Sequence, residues 1–131
     1  MTEPRLGFVG DAKSNPDTTP FWEAASEGRF VVKKCVDCGK VHWYPRAICP
    51  FCFSTNTEFV PASGAGRIYS FSVMRRADPP YIIAYVFLDE GPAMMTNIVD
   101  CDFSEVRIGQ KVRVVFKPTE GGPPMPCFTP A

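Results

Sequence analysis

Two Cys-x-x-Cys pairs lie close together in the stretch CVDCGKVHWYPRAICPFC, residues 35 to 52. Each pair brings two sulfurs to one side of a tight turn, and Gly39 permits the left-handed backbone that such a turn often needs. Two turns that face each other can enclose a tetrahedral ion. The spacing therefore predicts a metal site with four thiolate ligands, Cys35, Cys38, Cys49 and Cys52. Since no ligand position is left open, we expect this site to be structural.

Zinc is the ion that this ligand set favours. Iron in a rubredoxin-like site uses nearly the same arrangement, and the sequence does not separate the two ions. A dithiol redox pair is the main competing interpretation, but it needs only one of the two motifs. A module of about 25 residues buries too little surface to fold alone, whereas metal binding contributes on the order of 10–16 kcal/mol in small zinc peptides. We therefore expect the metal to hold the module together.

The six cysteines are expected to be reduced, because nothing in the sequence points to export. The first twenty residues contain no apolar run of secretory-signal length, and no stretch approaches the roughly 20 apolar residues of a membrane span. A cytoplasmic location without membrane insertion is predicted. In that compartment, paired Cys-x-x-Cys motifs favour a metal over a disulfide.

A short helix is predicted in TTPFWEAASEGRF, after a polar arm over residues 1 to about 17 that is expected to be extended. The two threonines before Pro20 suit the N-cap, and Gly28 suits the stop. About two turns of helix are marginal alone, since isolated helices below roughly 12–15 residues are unstable. Phe21 and Trp22 must therefore pack, either against the rest of the chain or against a partner.

From Ser63 onward the sequence has the period of β-strands. The strand-like segments are RIYSFSVMR, YIIAYVFLDE, AMMTNIVD and KVRVVFK, with a last short strand expected in MPCFT. One helical turn is expected in DFSEVRIG, and the Pro-rich tail PTEGGPPMPCFTPA is expected to be extended. Five short strands with one such insert predict a small closed barrel of the oligonucleotide/oligosaccharide-binding (OB) type.

No catalytic set is evident in the sequence. His42 is the only histidine, and we interpret it as a surface residue or a neighbour of the metal ligands, with a general base or a replacement ligand as alternatives. Cys101 lies between two aspartates, whose negative charge disfavours a thiolate, and Cys127 has no evident activator. The glycines that follow Ser63 precede a strand and not a helix, which argues against a phosphate loop. We expect no catalysis by this chain alone.

Aromatic side chains on the predicted strands have two interpretations. Barrel core is the default use of Tyr69, Phe71, Tyr81, Tyr85 and Phe87, while an exposed subset could stack nucleic-acid bases. Fourteen Lys and Arg balance fourteen Asp and Glu, so the net charge of zero counts against a protein that neutralises many phosphates.

Two small basic pairs are the candidates for contact with a phosphate-bearing ligand. Lys33 and Lys34 enter the first cysteine turn, and Arg75 and Arg76 follow the first barrel strand. Each pair has the alternative interpretation of an ordinary solvated edge. If either pair binds a ligand, the guanidinium and ammonium groups suit the phosphates of a nucleotide-bearing molecule.

The order of motifs along the chain resembles the DUF35 family. The matching motifs are Phe21-Trp22-Glu23, Glu27-Gly28, the two cysteine pairs, Ser63-Gly64-x-Gly66, Tyr69-Ser70-Phe71, Pro80-Tyr81, Leu88-Asp89-Glu90-Gly91, Met95-Thr96-Asn97-Ile98-Val99-Asp100 and Ile108-Gly109. The resemblance covers about residues 20 to 130. It implies a mainly β chain: an arm and short helix over residues 1–28, a rubredoxin-like zinc ribbon over 29–60, and a five-stranded OB-fold barrel with its tail over 61–131.

This resemblance implies a role in acyl-CoA metabolism. Family members are similar to small subunits that accompany thiolase-like enzymes, whose own chains carry the nucleophilic cysteine and its histidine partners. We expect the ribbon and the N-terminal helix to dock on a thiolase-like acyltransferase or aldolase subunit, and the barrel to help bind or orient a CoA thioester. The pathway would be a β-oxidation-type degradation of an aromatic or steroid acid. A dimeric partner would give a heterotetramer.

Two other functions remain as alternatives. A single-stranded nucleic-acid-binding ribbon–barrel protein would bind RNA or DNA in a salt-dependent way. An electron carrier would hold iron in the four-thiolate site.

Overall fold

One short α-helix and eight β-strands make up the part of the chain that the computed structural model describes, residues 14–131. The helix, α1, spans Thr19–Ser26 and follows a 3-10 turn at Pro16–Thr18. The strands are β1 Val31–Cys35, β2 Val41–His42, β3 Thr57–Pro61, β4 Ala65–Met74, β5 Tyr81–Leu88, β6 Ala93–Ile98, β7 Lys111–Thr119 and β8 Gly122–Pro130. The mainly β fold class is confirmed. Most of the arm predicted before α1 lies outside the described residues.

The first three strands form a small antiparallel sheet in the order β2-β1-β3. The central strand β1 pairs with β2 at only two positions and with β3 along its whole length. Because β1 ends at Cys35 and the other three cysteines lie in the turns that follow, this sheet is the base on which the metal ligands are placed.

The remaining five strands close into a barrel in the order β4-β5-β6-β8-β7, with β7 pairing back onto β4. This confirms the predicted OB-type barrel, and the predicted helical turn is present as a 3-10 turn at Phe103–Glu105. All pairings are antiparallel except β6 with β8, which is parallel and consists of the single pair Ile98↔Phe128.

The tail is more ordered than predicted, because nine of its residues form β8 instead of a short strand in an extended tail. A hairpin joins β7 to β8, with pairs running from Thr119↔Gly122 to Val112↔Pro130. Prolines lack an N–H and are therefore tolerated where a strand edge is not fully paired. The β6 side of β8 is such an edge, and this explains how a Pro-rich segment joins a barrel.

The helix α1 packs against its own chain. It ends as predicted, with Gly28 at φ 77° and the Arg29 N–H bonded to the Ala24 carbonyl at 2.9 Å. Phe21 is fully buried, and its ring lies 4.9 Å from the rings of both Trp22 and Trp43. The alternative that the sequence allows is that these side chains pack against a partner protein. That alternative is wrong, since both residues belong to the hydrophobic core.

The barrel interior is filled mainly by aliphatic side chains, and three of the aromatic residues expected there lie elsewhere. The buried set includes Ile68, Ile82, Val86, Met94, Ile98 and Phe128. Tyr69, Tyr85 and Phe87 instead lie on the outside of the barrel, about half exposed, so the default interpretation is wrong for these three. Phe71 and Tyr81 are partly buried. Among residues 14–131, no helix is long and apolar enough to cross a membrane.

Candidate functional site

The four predicted ligands converge at one point. Their sulfur atoms all lie within 4.8 Å of one another, with 3.5 Å between those of Cys35 and Cys52 and 3.7 Å between those of Cys38 and Cys49. A tetrahedral zinc with zinc–sulfur bonds of about 2.3 Å places its sulfurs about 3.8 Å apart. The donor set therefore fits a four-thiolate zinc site, and the predicted ligands are brought together.

The backbone of each turn is shaped to hold the sulfurs. In the first turn, the Gly39 N–H donates to the Cys35 carbonyl at 2.9 Å, and Gly39 has the left-handed φ of 75° that the sequence predicted. The second turn repeats this bond from Phe53 to Cys49 at 3.0 Å, with Phe53 at φ 63°. A bulky residue with a left-handed φ is unusual. Because Phe53 stands where the first turn has Gly39, the sequence of the second turn carries no glycine that would indicate this backbone conformation.

The pKa values of the cluster cysteines also favour a bound cation. Burial raises the pKa of Cys49, but the backbone N–H groups of Cys52 and Phe51 outweigh it and bring the pKa to about 7. The Phe51 N–H lies 3.4 Å from the Cys49 sulfur. For Cys52, the backbone N–H of Ser54 lowers the pKa, but the sulfurs of the other three cluster cysteines raise it to about 12. Thiolates this close repel each other, and a divalent ion removes that repulsion.

The basic residues divide into one buried and three exposed side chains. The structure departs from expectation at Lys33, which is only 8% exposed. Its ammonium donates to the Thr57 hydroxyl at 3.2 Å and lies 4.4 Å from the centre of the Phe59 ring, and burial lowers its pKa. Lys33 is therefore not offered to a ligand in solution. In contrast, Lys34 is exposed on β1.

Arg75 and Arg76 are exposed in the turn after β4. The turn is held by the backbone, since the Arg75 N–H donates to the Val73 carbonyl at 3.1 Å. Their side chains are thus available to an anionic ligand, as the sequence suggested. The described residues supply neither arginine with an ion pair.

His42 does not lie on the surface, which corrects one of its two expected locations. It is 3% exposed at the end of β2, and neither ring nitrogen has a hydrogen bond of good geometry within the described chain. Burial lowers its pKa, as do the charges of Lys33 and Arg46, and a weak interaction with the Arg46 backbone only partly offsets this. His42 is consequently a neutral residue of the ribbon core at pH 7.

The two cysteines outside the cluster differ in their surroundings. Cys127 is fully buried, and this burial raises its pKa to about 12, which leaves it a thiol and not a nucleophile. Cys101 is partly buried and is not among the group of sulfurs that could share a metal ion.

The structure also has a cleft with an apolar face beside it, which the sequence does not predict. The cleft has a volume of about 540 Å³ and lies between the ribbon loop that carries Trp43 and strands β5, β6 and β8 of the barrel. Next to it, Tyr69, Tyr85, Phe87 and Met95 are 45–59% exposed on the outside of β4, β5 and β6. In the sequence, β5 is apolar at almost every position, so the alternation that would reveal an outward apolar face is missing.

Family models match both parts of the described fold. Residues 22–58 match the rubredoxin-like zinc ribbon domain of ChsH2, and residues 59–117 match the C-terminal OB-fold domain of ChsH2. A DUF35 domain-containing scaffold protein of Methanothermobacter thermautotrophicus is 40% identical over 91 residues, which are 64% of this chain and 68% of that protein. The chain belongs to the DUF35 family. The predicted family is thus confirmed, together with its zinc-ribbon and OB-fold parts.

Other relatives have names that refer to enzymes of acyl-CoA compounds. A probable enoyl-CoA hydratase alpha subunit of Thermomonospora curvata is 31% identical over 122 residues, 89% of this chain but only 38% of that protein. A benzoylsuccinyl-CoA thiolase subunit, BbsA of Thauera aromatica, is 33% identical over 60% of this chain and 62% of its own length. The chain thus spans about two fifths of the first relative and under two thirds of the second.

Among solved structures, the chain is similar to one described as the Ltp2-ChsH2(DUF35) aldolase. The two share 30% sequence identity with a TM-score of 0.78, over 88% of this chain and 95% of the other. This likeness extends through the ribbon and the barrel. The DUF35 arrangement of the two parts is therefore shared with a protein that is described as an aldolase.

Proposed function

We propose that this chain is a non-catalytic accessory subunit of a thiolase-like acyl-CoA acyltransferase or aldolase complex. In this role it docks on the catalytic subunit and helps to bind or orient a CoA thioester. The observation that carries the proposal is the closed metal cluster, in which protein sulfurs occupy all four ligand positions and leave none for a substrate. Relatives named as a thiolase subunit and as part of an aldolase support the same role.

The chemistry of the described residues agrees with a supporting role. His42 is buried and neutral, and Cys127 is a buried thiol, so neither supplies a nucleophile with an adjacent base. Zinc would be held by the four cysteines and would supply structure to the ribbon. A reducing cytoplasm would keep these ligands as thiols ready for the metal.

Copurification with a catalytic subunit tests the proposal. The thiolase-like protein encoded beside this chain is purified with and without it, and thiolysis of an acyl-CoA is measured. We expect the two to co-elute and the activity to fall at least tenfold when this chain is omitted. A dimeric partner should give the mass of a heterotetramer in light scattering. Unchanged activity together with no co-elution would contradict the proposal.

Contact with the CoA phosphates is assigned to Arg75, Arg76 and Lys34, while the burial of Lys33 removes it from the set. Hydrogen bonds to charged groups contribute about 1.5–3 kcal/mol. Reversing both arginines to glutamate should therefore weaken CoA binding to the assembled complex by about tenfold or more in calorimetry. Arg113→Glu, an exposed arginine on β7, is the matched control. Equal binding by all variants would exclude the arginines.

Single-stranded nucleic-acid binding is the second candidate function. One observation favours it, because Tyr85 and Phe87 are exposed on the strands that OB folds often use for ligands. The charge does not favour it, since the chain is neutral overall and Arg46 is the single charged side chain that the described residues place in the cleft. A gel-shift series with single-stranded DNA and RNA at low salt should show no retardation, and salt-dependent retardation would favour this function instead.

A further inference from the structure

We propose that the cleft between β6 and β8, together with the aromatic face beside it, binds an extended segment of the catalytic subunit as an added β-strand. The docking cleft is lined by residues of the ribbon loop, β5, β6 and β8, and the outer aromatic face consists of Tyr69, Tyr85, Phe87 and Met95. This inference rests on the proposed function, because it names the surface at which the accessory subunit meets its partner.

The first observation is the free edge of β6. This strand pairs with β5 at six positions, whereas within the described part of the chain its other edge pairs with β8 only at Ile98↔Phe128. The Val99 N–H donates to the Phe128 carbonyl at 2.8 Å. Since backbone groups alternate in direction along a strand, Ala93 and Met95 also turn their N–H and C=O groups toward the β8 side. Both residues line the docking cleft.

The second observation explains why β8 does not complete the ladder. Pro126 lies on the β6 side of β8, as shown by the hydrogen bond from the Thr96 hydroxyl to the Pro126 carbonyl at 3.2 Å. In a continued parallel ladder, the N–H at position 126 would donate to the Met95 carbonyl, but proline has no N–H. The ladder therefore stops here, and Ala93 and Met95 lie on β6 beyond its last pair. An edge with unpaired donors and acceptors in a cleft is suited to a strand from another chain.

The third observation is the chemistry of the cleft. The cleft is lined by Trp43, Tyr44 and Arg46 of the ribbon loop, and by Met125 and Pro126 of β8. Among residues 14–131, no carboxylate lines the cleft, and Arg46 is the single charged residue that does. An occupant of complementary chemistry is apolar and carries one acidic residue that faces Arg46.

The outer aromatic face continues the same surface. Tyr85 and Met95 are directly opposite in the β5–β6 ladder, and both also line the cleft. The rings of Tyr69 and Phe87 lie 4.8 Å apart. Four large apolar side chains on three adjacent strands form the kind of exposed patch that marks an interaction site. A strand paired with β6 would direct alternate side chains onto this face.

Hydrogen exchange measured by mass spectrometry tests the inference directly. The wild-type chain is compared alone and in complex with the neighbour-encoded thiolase-like protein. We expect amide exchange in β6, Ala93–Ile98, to slow at least tenfold in the complex, while the ribbon turns change little. Protection of the ribbon turns without protection of β6 would overturn the inference.

Substitutions at the free edge supply a second test. Met95→Pro removes a backbone N–H from the free edge of β6, and Tyr85→Ser removes an aromatic side chain that would contact the added strand. Each substitution should raise the dissociation constant of the complex with the thiolase-like protein at least tenfold. Phe53→Ser is the matched control, because Phe53 is 78% exposed on the ribbon, outside this surface. Zinc content and circular dichroism check folding, and Tyr85→Ser stays informative if Met95→Pro does not fold. Loss of binding in the control alone would place docking on the ribbon and overturn the inference.

The outcomes separate the inference from the proposed function. Failure of the wild-type chain to bind the partner overturns both, whereas tight binding by wild type, Met95→Pro and Tyr85→Ser alike overturns only the inference. Deletion of residues 1–13 tests whether this chain fills the cleft itself. Slower β6 exchange in the isolated full-length chain than in the deletion variant would assign the cleft to that segment, and unchanged exchange supports the partner.

Discussion

Truncation of Phe21 should destabilise the whole chain. Its ring is fully buried and forms edge-to-face contacts with Trp22 and Trp43, both at 4.9 Å, and with Phe30 at 6.2 Å. Phe→Ala in a core costs about 3–5 kcal/mol, and each aromatic pair contributes roughly 0.5–1.5 kcal/mol beyond its buried area. We therefore expect a loss of about 4 kcal/mol. For a chain of this size, that corresponds to a melting temperature lower by about 12–20 °C.

Guanidinium unfolding with zinc in excess measures this loss. Trp22 and Trp43 are the chain's two tryptophans, so their fluorescence reports on the environment of Phe21. Phe21→Leu should lose about 1–1.5 kcal/mol because it keeps most of the volume. Phe53→Ala, at an exposed site, should change stability by less than about 0.5 kcal/mol. A loss below about 1 kcal/mol for Phe21→Ala would mean that α1 is not part of the core and is free to contact a partner.

Three further predictions concern the metal, pH and the barrel. Elemental analysis should find one zinc per chain, lost in Cys38→Ser but retained in Cys127→Ala, because only the former supplies a sulfur to the cluster. Burial lowers the pKa of His42 in the folded chain, so the unfolded chain takes up a proton first as the pH falls below about 6.5. The free energy of unfolding should therefore fall with acid more steeply in wild type than in His42→Gln. Urea unfolding at pH 7.5 and 5.5 measures this difference. Gly66→Ala would place a Cβ atom 2.6 Å from the Phe87 carbonyl oxygen, and overpacking of this kind should cost about 1–3 kcal/mol in thermal unfolding.

The features that the sequence predicted best depend on local spacing. The two cysteine pairs, the glycine after the first pair and the helix stop at Gly28 each follow from a few neighbouring residues, and the structure has all of them. Barrel closure was also predictable, because the number of strands and the helical insert select this topology from few alternatives.

The features that the sequence did not predict depend on contacts between distant segments. The segment YIIAYVFL is apolar on both faces, so its pattern does not tell which side chains enter the barrel, and Tyr85 and Phe87 were assigned to the wrong side. The prolines of β8 disfavour strand pairing, so the sequence predicts a shorter strand than the structure has. The hairpin with β7 holds the whole strand in place. The burial of His42 could not be predicted, since it lies at the end of a two-residue strand and its burial depends on segments that are distant in the sequence.

The metal and the docking cleft are connected through Trp43. The loop that carries Trp43 and Arg46 lies between the two cysteine pairs, so an ion bound by the four sulfurs would hold this loop at both ends. Trp43 contacts Phe21 and Phe30, with ring centres 4.9 and 6.1 Å apart, and Phe30 in turn contacts Phe128 of the barrel at 6.3 Å. The same tryptophan forms a wall of the cleft. A structural metal would therefore also position the part of the ribbon that lines the proposed docking cleft beside β6.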